Sequence, residues 1–169
     1  MGCVKLGAAV GAPFFDYGST AVGRRGGEPG FLSGRSRADW AKVLDHTEIR
    51  RFRAGEEVIS AGDGDRSLYL LTEGALGLRL PAKGQTITRF EAPAVIGEVA
   101  FLDGGPRSAT LVGIGDGEVL RLRMESFEAL SAREPELGRA ILFDLARIVT
   151  ARLRLANDMI VRAGGWGRG

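Results

Sequence analysis

Between residues 48 and 124 apolar and polar side chains follow one another in short, partly alternating runs: EIRRFRAGEEVIS, SLYLLTEGALGLRL, QTITRFE, SATLVGIG and GEVLRLRM. A period of two over four to eight residues marks strands with one face buried. Gly, Asp and Pro interrupt the runs at AGDGD, TEG, PAKG and GDG, where tight turns are expected. Gly55, Gly62, Gly74, Gly84 and Gly117 are expected to supply positive φ at those corners. The pattern predicts a mainly β fold with flanking helices, an antiparallel β-roll or jelly-roll sandwich.

On either side of this region the period changes. SRADWAKVLDH places Trp40, Val43 and Leu44 on one helical face, with Ser36 as the cap. After Met124, ESFEALSARE reads as a short helix with Phe127 and Leu130 inward. Pro135 stands at a first-turn position and opens a long C-terminal helix over about 135–162. That helix carries two apolar stripes, one through Leu137, Ile141, Leu145 and Ile148, the other through Leu142, Val149, Ala156 and Met159. One stripe is expected to pack on the sandwich and the other on a partner helix, as in a homodimer. Residues 1–36 are rich in Gly, Ser, Ala and Arg without either period and read as a disordered arm; 163–169 reads as a flexible tail.

Composition narrows the function classes. The 169 residues are 44% hydrophobic, enough for one domain with a core, and no run of 18 apolar residues is present. The start, MGCVKLGAAVGAPFF, is interrupted by glycines and a proline and makes a poor secretory signal. Leu6 also breaks the myristoylation pattern that MGC begins. The single Cys3 cannot form an internal disulfide, which suits a reducing cytoplasm. The single His46 is too few for a histidine-based metal site, and no Ser–His–Asp set is legible around it, so binding rather than turnover is expected. The net charge of +2 is unevenly spread. Residues 1–37 carry five basic and two acidic side chains, and the remainder carries 18 and 19, so the basic excess lies in the arm. That argues against a nucleic-acid-binding face on the fold, leaving RNA contact by the arm as a lesser reading.

The chemistry concentrates in GEVAFLDGGPRSAT, Gly97 to Thr110. One short helical turn at 98–102 would present unpaired backbone N–H groups, and two glycines allow close approach of a ligand. Arg107, held behind a proline, can fork onto two phosphate oxygens, and Ser108 adds a hydroxyl. Glu98, acceptor-only when ionised, suits a sugar hydroxyl. Residue types and spacing thus suggest a ribose at one end and a compact phosphate at the other, without separating a cyclic phosphate from an open one.

This stretch resembles the phosphate-binding cassette of the cyclic nucleotide-binding domains, shared by catabolite-activator regulators, cyclic nucleotide-gated channels and cyclic-nucleotide-dependent kinases. The resemblance covers roughly residues 38–160 and extends upstream through Phe52, Gly55, Ile59, Gly62, Asp63, Leu68, Tyr69 and Gly74. It implies a domain over 37–162 in which Glu98 binds the ribose 2′-OH beside the Gly97 backbone. It also implies that Arg107, Ser108 and Ala109 hold the cyclic phosphate and that Leu78 and Ile87 line the base pocket. The polar residues that read the purine edge in activators are replaced here by Arg152 and Leu153, which leaves cAMP against cGMP open, with cAMP favoured by family frequency. The resemblance implies a bacterial, cytoplasmic, non-enzymatic sensor with no cofactor besides its nucleotide, signalling to a partner through the long helix. Its phosphate would engage an Arg107 that is otherwise a poorly paired cation. The alternative is a structural dimerisation module on the same fold with a vacant cassette, in which Glu98 and Arg107 pair internally. Activators carry a DNA-reading domain of about 60 further residues; the chain stops at AGGWGRG, so direct DNA binding is not expected.

Overall fold

The change of period at Met124 marks a boundary between sheet and helix. The computed structural model describes residues 30–79 and 86–162. These form α1 (Arg37–Leu44), β1 (Glu48–Phe52), β2 (Glu57–Ile59), β3 (Ser67–Glu73), β4 (Ala75–Arg79), β5 (Thr86–Glu91), β6 (Ala94–Ile96), α2 (Glu98–Asp103), β7 (Thr110–Gly113), β8 (Gly117–Arg123), α3 (Met124–Arg133) and α4 (Pro135–Arg162). Ser36 caps α1 reciprocally: its Oγ accepts from the Asp39 N–H at 3.1 Å, and the Asp39 carboxylate accepts from the Ser36 N–H at 3.3 Å. His46 closes the other end, with Nδ1 at 2.8 Å from the Lys42 carbonyl.

Two four-stranded antiparallel sheets, ordered β1-β8-β3-β6 and β2-β7-β4-β5, make the expected β-roll. Alternation along β3 and β8 serves two cores at once. Leu68, Leu70, Leu120 and Leu122 face a helix-side core with Phe127, Leu130 and the Leu137, Ile141, Leu145, Ile148 stripe of α4. Tyr69, Leu71 and Val119 face the roll interior with Phe52, Leu76 and Leu111. Burial on both faces explains why SLYLL reads as nearly continuous rather than alternating. The strand β6 has three residues between Pro93 and Gly97, too few to show a period, and the sequence reading passed over it.

Three expectations need correction. Residues 30–36 do not belong to a disordered arm: Phe31 and Leu32 are fully buried in the helix-side core, and the Leu32 N–H bonds Asp144 Oδ2 of α4 at 2.8 Å. Two isolated apolar residues give no periodic signal, so only packing reveals them. Residues 1–29 and 163–169, with Cys3, the rest of the arm and the tail, lie outside the described residues, as does Gly84. The second stripe of α4 is only partly exposed: Leu142 is exposed, Val149 and Ala156 are half-buried, and the Met159 side chain lies outside what is described. Gly117 is required for a different reason from the one expected. It lacks a positive φ, but a Cβ there would stand 2.3 Å from Phe52 Cζ and 2.4 Å from the Glu73 carbonyl oxygen. No helix among the described residues is long and apolar enough to cross a membrane.

Candidate functional site

β6 leads the chain out of the sheet and into α2 through Gly97, whose φ of 82° begins the turn. A Cβ at Gly97 would lie 2.6 Å from Arg107 Nη1 and 3.1 Å from the Ser67 carbonyl oxygen. Glycine therefore meets two demands here, a left-handed backbone and room for a guanidinium. The Gly97 carbonyl accepts from Arg107 Nη1 at 3.1 Å and from the Phe101 N–H at 3.1 Å. The loop after α2 is tied to the β2–β3 turn by backbone bonds, Gly62 N–H to the Arg107 carbonyl at 2.8 Å and Arg107 N–H to the Asp63 carbonyl at 2.9 Å.

Arg107 is 5% exposed. Its Nη2 donates to Asp65 Oδ2 at 2.9 Å and to the Ser67 carbonyl at 2.7 Å, and its guanidinium lies over the Tyr69 ring, 5.4 Å from the centroid. Its Nε is buried and without a hydrogen-bond partner among the described residues. Asp65 also accepts from Ser67 Oγ at 2.9 Å and from Tyr69 OH at 3.0 Å, and Arg121 Nη2 bonds its Oδ1. Two guanidinium groups thus share one carboxylate, and the cluster carries a net charge of +1.

Desolvation works against ionisation of Asp65, but the bonds from Arg107, Arg121, Ser67 and Tyr69 outweigh it and hold the carboxyl well below the usual carboxylate range. The Tyr69 hydroxyl is pushed up, first by burial and then by the Asp65 charge. Because the native value of Asp65 is depressed, its contribution to stability is present above about pH 4, the unfolded value, and is lost as pH falls from there toward the native value. Unfolding followed from pH 7 down to pH 2 is expected to show this loss. It should be smaller in Asp65→Asn, and an unchanged acid profile would contradict the network.

At the other end Glu98, 7% exposed, begins α2. Its Oε1 pairs with Arg152 Nη1 of α4 at 2.8 Å. Arg152 Nη2 donates to the Val95 carbonyl at 2.8 Å, and its guanidinium lies 5.3 Å from the Phe90 ring centroid. One arginine therefore joins the long helix to β5, β6 and α2.

Between the two ion pairs lies a cleft open to solvent, about 450 Å³ with the open solvent at its mouth included. Gly97, Glu98, Arg107, Ser108, Ala109, Leu78 and Arg152 all line it, so seven of the sequence-selected residues meet at one place. The side chain of the eighth, Ile87, lies outside the described residues. Two expectations fail. Arg107 is not a poorly paired cation, since Asp65 holds it. Nor do Glu98 and Arg107 pair with each other: each has taken a different partner. The sequence reading missed Phe90, Ile96 and Leu111 on the apolar wall, and it missed Asp65 and Arg121. Asp65 was absorbed into the turn AGDGD. An arginine on the inward face of β8, the face it shares with Val119, was the available sign that an acidic partner stood opposite.

Comparison with known proteins agrees with this geometry. A family model described as "Cyclic nucleotide-binding domain" matches residues 49–134. The "Cyclic AMP receptor protein" of Thermus thermophilus is 31% identical over 118 residues, 68% of this chain and 53% of that protein. The "cAMP-dependent protein kinase regulatory subunit" of Mycosarcoma maydis is 32% identical over 91 residues, 53% of this chain and 17% of that protein. The chain thus spans about half or less of the length of these relatives. A cyclic nucleotide-binding domain structure from Methylobacillus flagellatus superposes with a TM-score of 0.70 at 29% identity, covering 76% of this chain and 74% of that one. The cassette built between β6 and β7, the roll that carries it and the match over residues 49–134 lead to one assignment: the chain belongs to the cyclic nucleotide-binding domain family.

Proposed function

We propose that the chain is a regulatory module that binds a cyclic nucleotide, with cAMP favoured, and passes the event to a partner through α4. The observation that carries this reading is the cluster charge of +1 around Arg107, together with the buried Nε that has no acceptor. A buried donor left unsatisfied costs about 1–3 kcal/mol, and a cyclic phosphodiester, a monoanion, would both satisfy it and balance the charge. A phosphate monoester would bring a second negative charge with no cation to meet it. The relatives whose names specify cyclic AMP support the choice of purine.

Signalling follows from the place of Arg152. Glu98 is the group suited to a ribose hydroxyl, and it is the group that docks α4. A sugar that takes part of the Glu98 carboxylate changes what holds the helix, and the ligand shifts the helix equilibrium by its difference in affinity for the two positions. The outer face of α4 offers a surface to be presented. Phe143, Ala146, Thr150, Leu153 and Asn157 recur at three- and four-residue steps and are all exposed, Phe143 at 66% and Leu153 at 58%. That spacing suits a second copy of the same helix, on a face adjoining the stripe expected from the sequence.

The pairing of both polar anchors within the protein favours a second reading, a structural module whose cassette takes no ligand. A thermal-shift titration separates the two. Ligand at 100 times its dissociation constant stabilises the native state by about 2.7 kcal/mol, so a clear rise in Tm with cAMP is expected. No shift with millimolar cAMP or cGMP would favour the structural module.

A further inference from the structure

The polar cluster behind the cavity contains one more cation than phosphate binding calls for. Arg121 does not line the cavity. It stands on β8 opposite Tyr69 of β3 and Glu48 of β1. Its neighbours Leu120 and Leu122 point to the helix-side core, while Val119, two residues away, points with Tyr69 into the roll. Alternation therefore turns Arg121 inward, and its side chain is 23% exposed.

There it makes two bonds. Nε donates to Ser67 Oγ at 3.0 Å, and Nη2 donates to Asp65 Oδ1. Arg107 holds the other oxygen, Oδ2, at 2.9 Å. The carboxylate is thus divided between two guanidinium groups. With Arg107 alone, Asp65 would form a one-to-one pair and the cluster would be neutral. Arg121 restores a full positive charge and fixes the rotation of Asp65, since Ser67 and Tyr69 also bond to defined oxygens.

We propose that Arg121 is a positioning residue that sets the anion affinity of the cassette: by claiming one oxygen of Asp65 it keeps that carboxylate from neutralising Arg107. The proposal rests on the reading of the cavity as a cyclic nucleotide site and adds a residue that touches no ligand. It makes charge, rather than shape, the quantity that Arg121 controls. At an effective dielectric constant of about 20, one unit charge at about 10 Å changes anion affinity by roughly tenfold.

The test is a set of binding titrations on the full chain, wild type, Arg121→Gln and Arg121→Lys, with cAMP and with uncharged adenosine in competition against a fluorescent cyclic nucleotide. Arg121→Gln is expected to weaken cAMP about tenfold and to leave adenosine unaltered. Arg121→Lys, which keeps the charge, should restore most of the cAMP affinity. Unchanged cAMP binding in Arg121→Gln would overturn the proposal. Equal weakening of cAMP and adenosine would do the same, because it would show a packing role. If adenosine binds too weakly to read, the lysine variant decides: an affinity as low as that of the glutamine variant refutes control by charge. Wild-type protein that takes no cAMP would defeat the underlying reading and the proposal with it, an outcome distinct from the other three.

Discussion

Arg107→Ala is expected to weaken cAMP binding by well over tenfold, because charge-assisted hydrogen bonds contribute about 1.5–3 kcal/mol each. On the proposed reading, the substitution removes the donor left over for the phosphate and the cation that balances it. Arg107 also joins the Gly97 carbonyl, the Ser67 carbonyl and Asp65, so its loss leaves the buried Ser67 carbonyl and the half-buried Gly97 carbonyl without that donor and should lower the melting temperature as well. Arg107→Lys is expected to rescue little, since an ammonium lacks the planar fork that reaches all three acceptors. Calorimetric titration with a thermal melt of each variant makes the measurement. Wild-type affinity in Arg107→Ala would remove the assignment of this residue.

Gly97→Ala is expected to fail in both stability and binding. An L-residue in the left-handed region costs about 1–2 kcal/mol, and the new Cβ would stand 2.6 Å from Arg107 Nη1. The guanidinium must then move away from Asp65 and Ser67, so the binding loss should approach that of Arg107→Ala. The control is Gly64→Ala, where a Cβ meets nothing within 4 Å and no positive φ is required. Its melting temperature and cAMP affinity should match wild type. A Gly97→Ala protein with full affinity would show that the cassette tolerates a displaced arginine.

Much of this architecture was legible in the chain because it is written locally. Ser36 and Asp39 cap a helix three residues apart, Pro135 opens α4, and the glycine-punctuated runs mark the corners of the roll. The cassette was legible for the same reason: Gly97 through Ala109 is one contiguous stretch. What escaped depends on partners far apart in sequence. Asp65 meets Arg107 across 42 residues and Arg121 across 56, and Leu32 meets Asp144 across 112. No period of two or 3.6 encodes such pairs. They come from the backbone bonds that tie the β2–β3 turn to the loop after α2, from the register of β3 against β8 and from the packing of α4 on the first sheet. The cation at Arg107 was therefore visible, but the carboxylate that holds it and the second arginine that shares that carboxylate were not.

A cyclic phosphate bound in the cleft should supply the acceptor that Arg107 Nε lacks. A crystal structure of the chain with cAMP makes the measurement. The expected result is a phosphate oxygen within about 2.7–3.2 Å of Arg107 Nε, with Asp65 still bonded to both arginines and the ribose at Glu98. A nucleotide bound elsewhere, or a phosphate lying out of reach of Nε while Arg107 keeps its present bonds, would refute this role for Arg107.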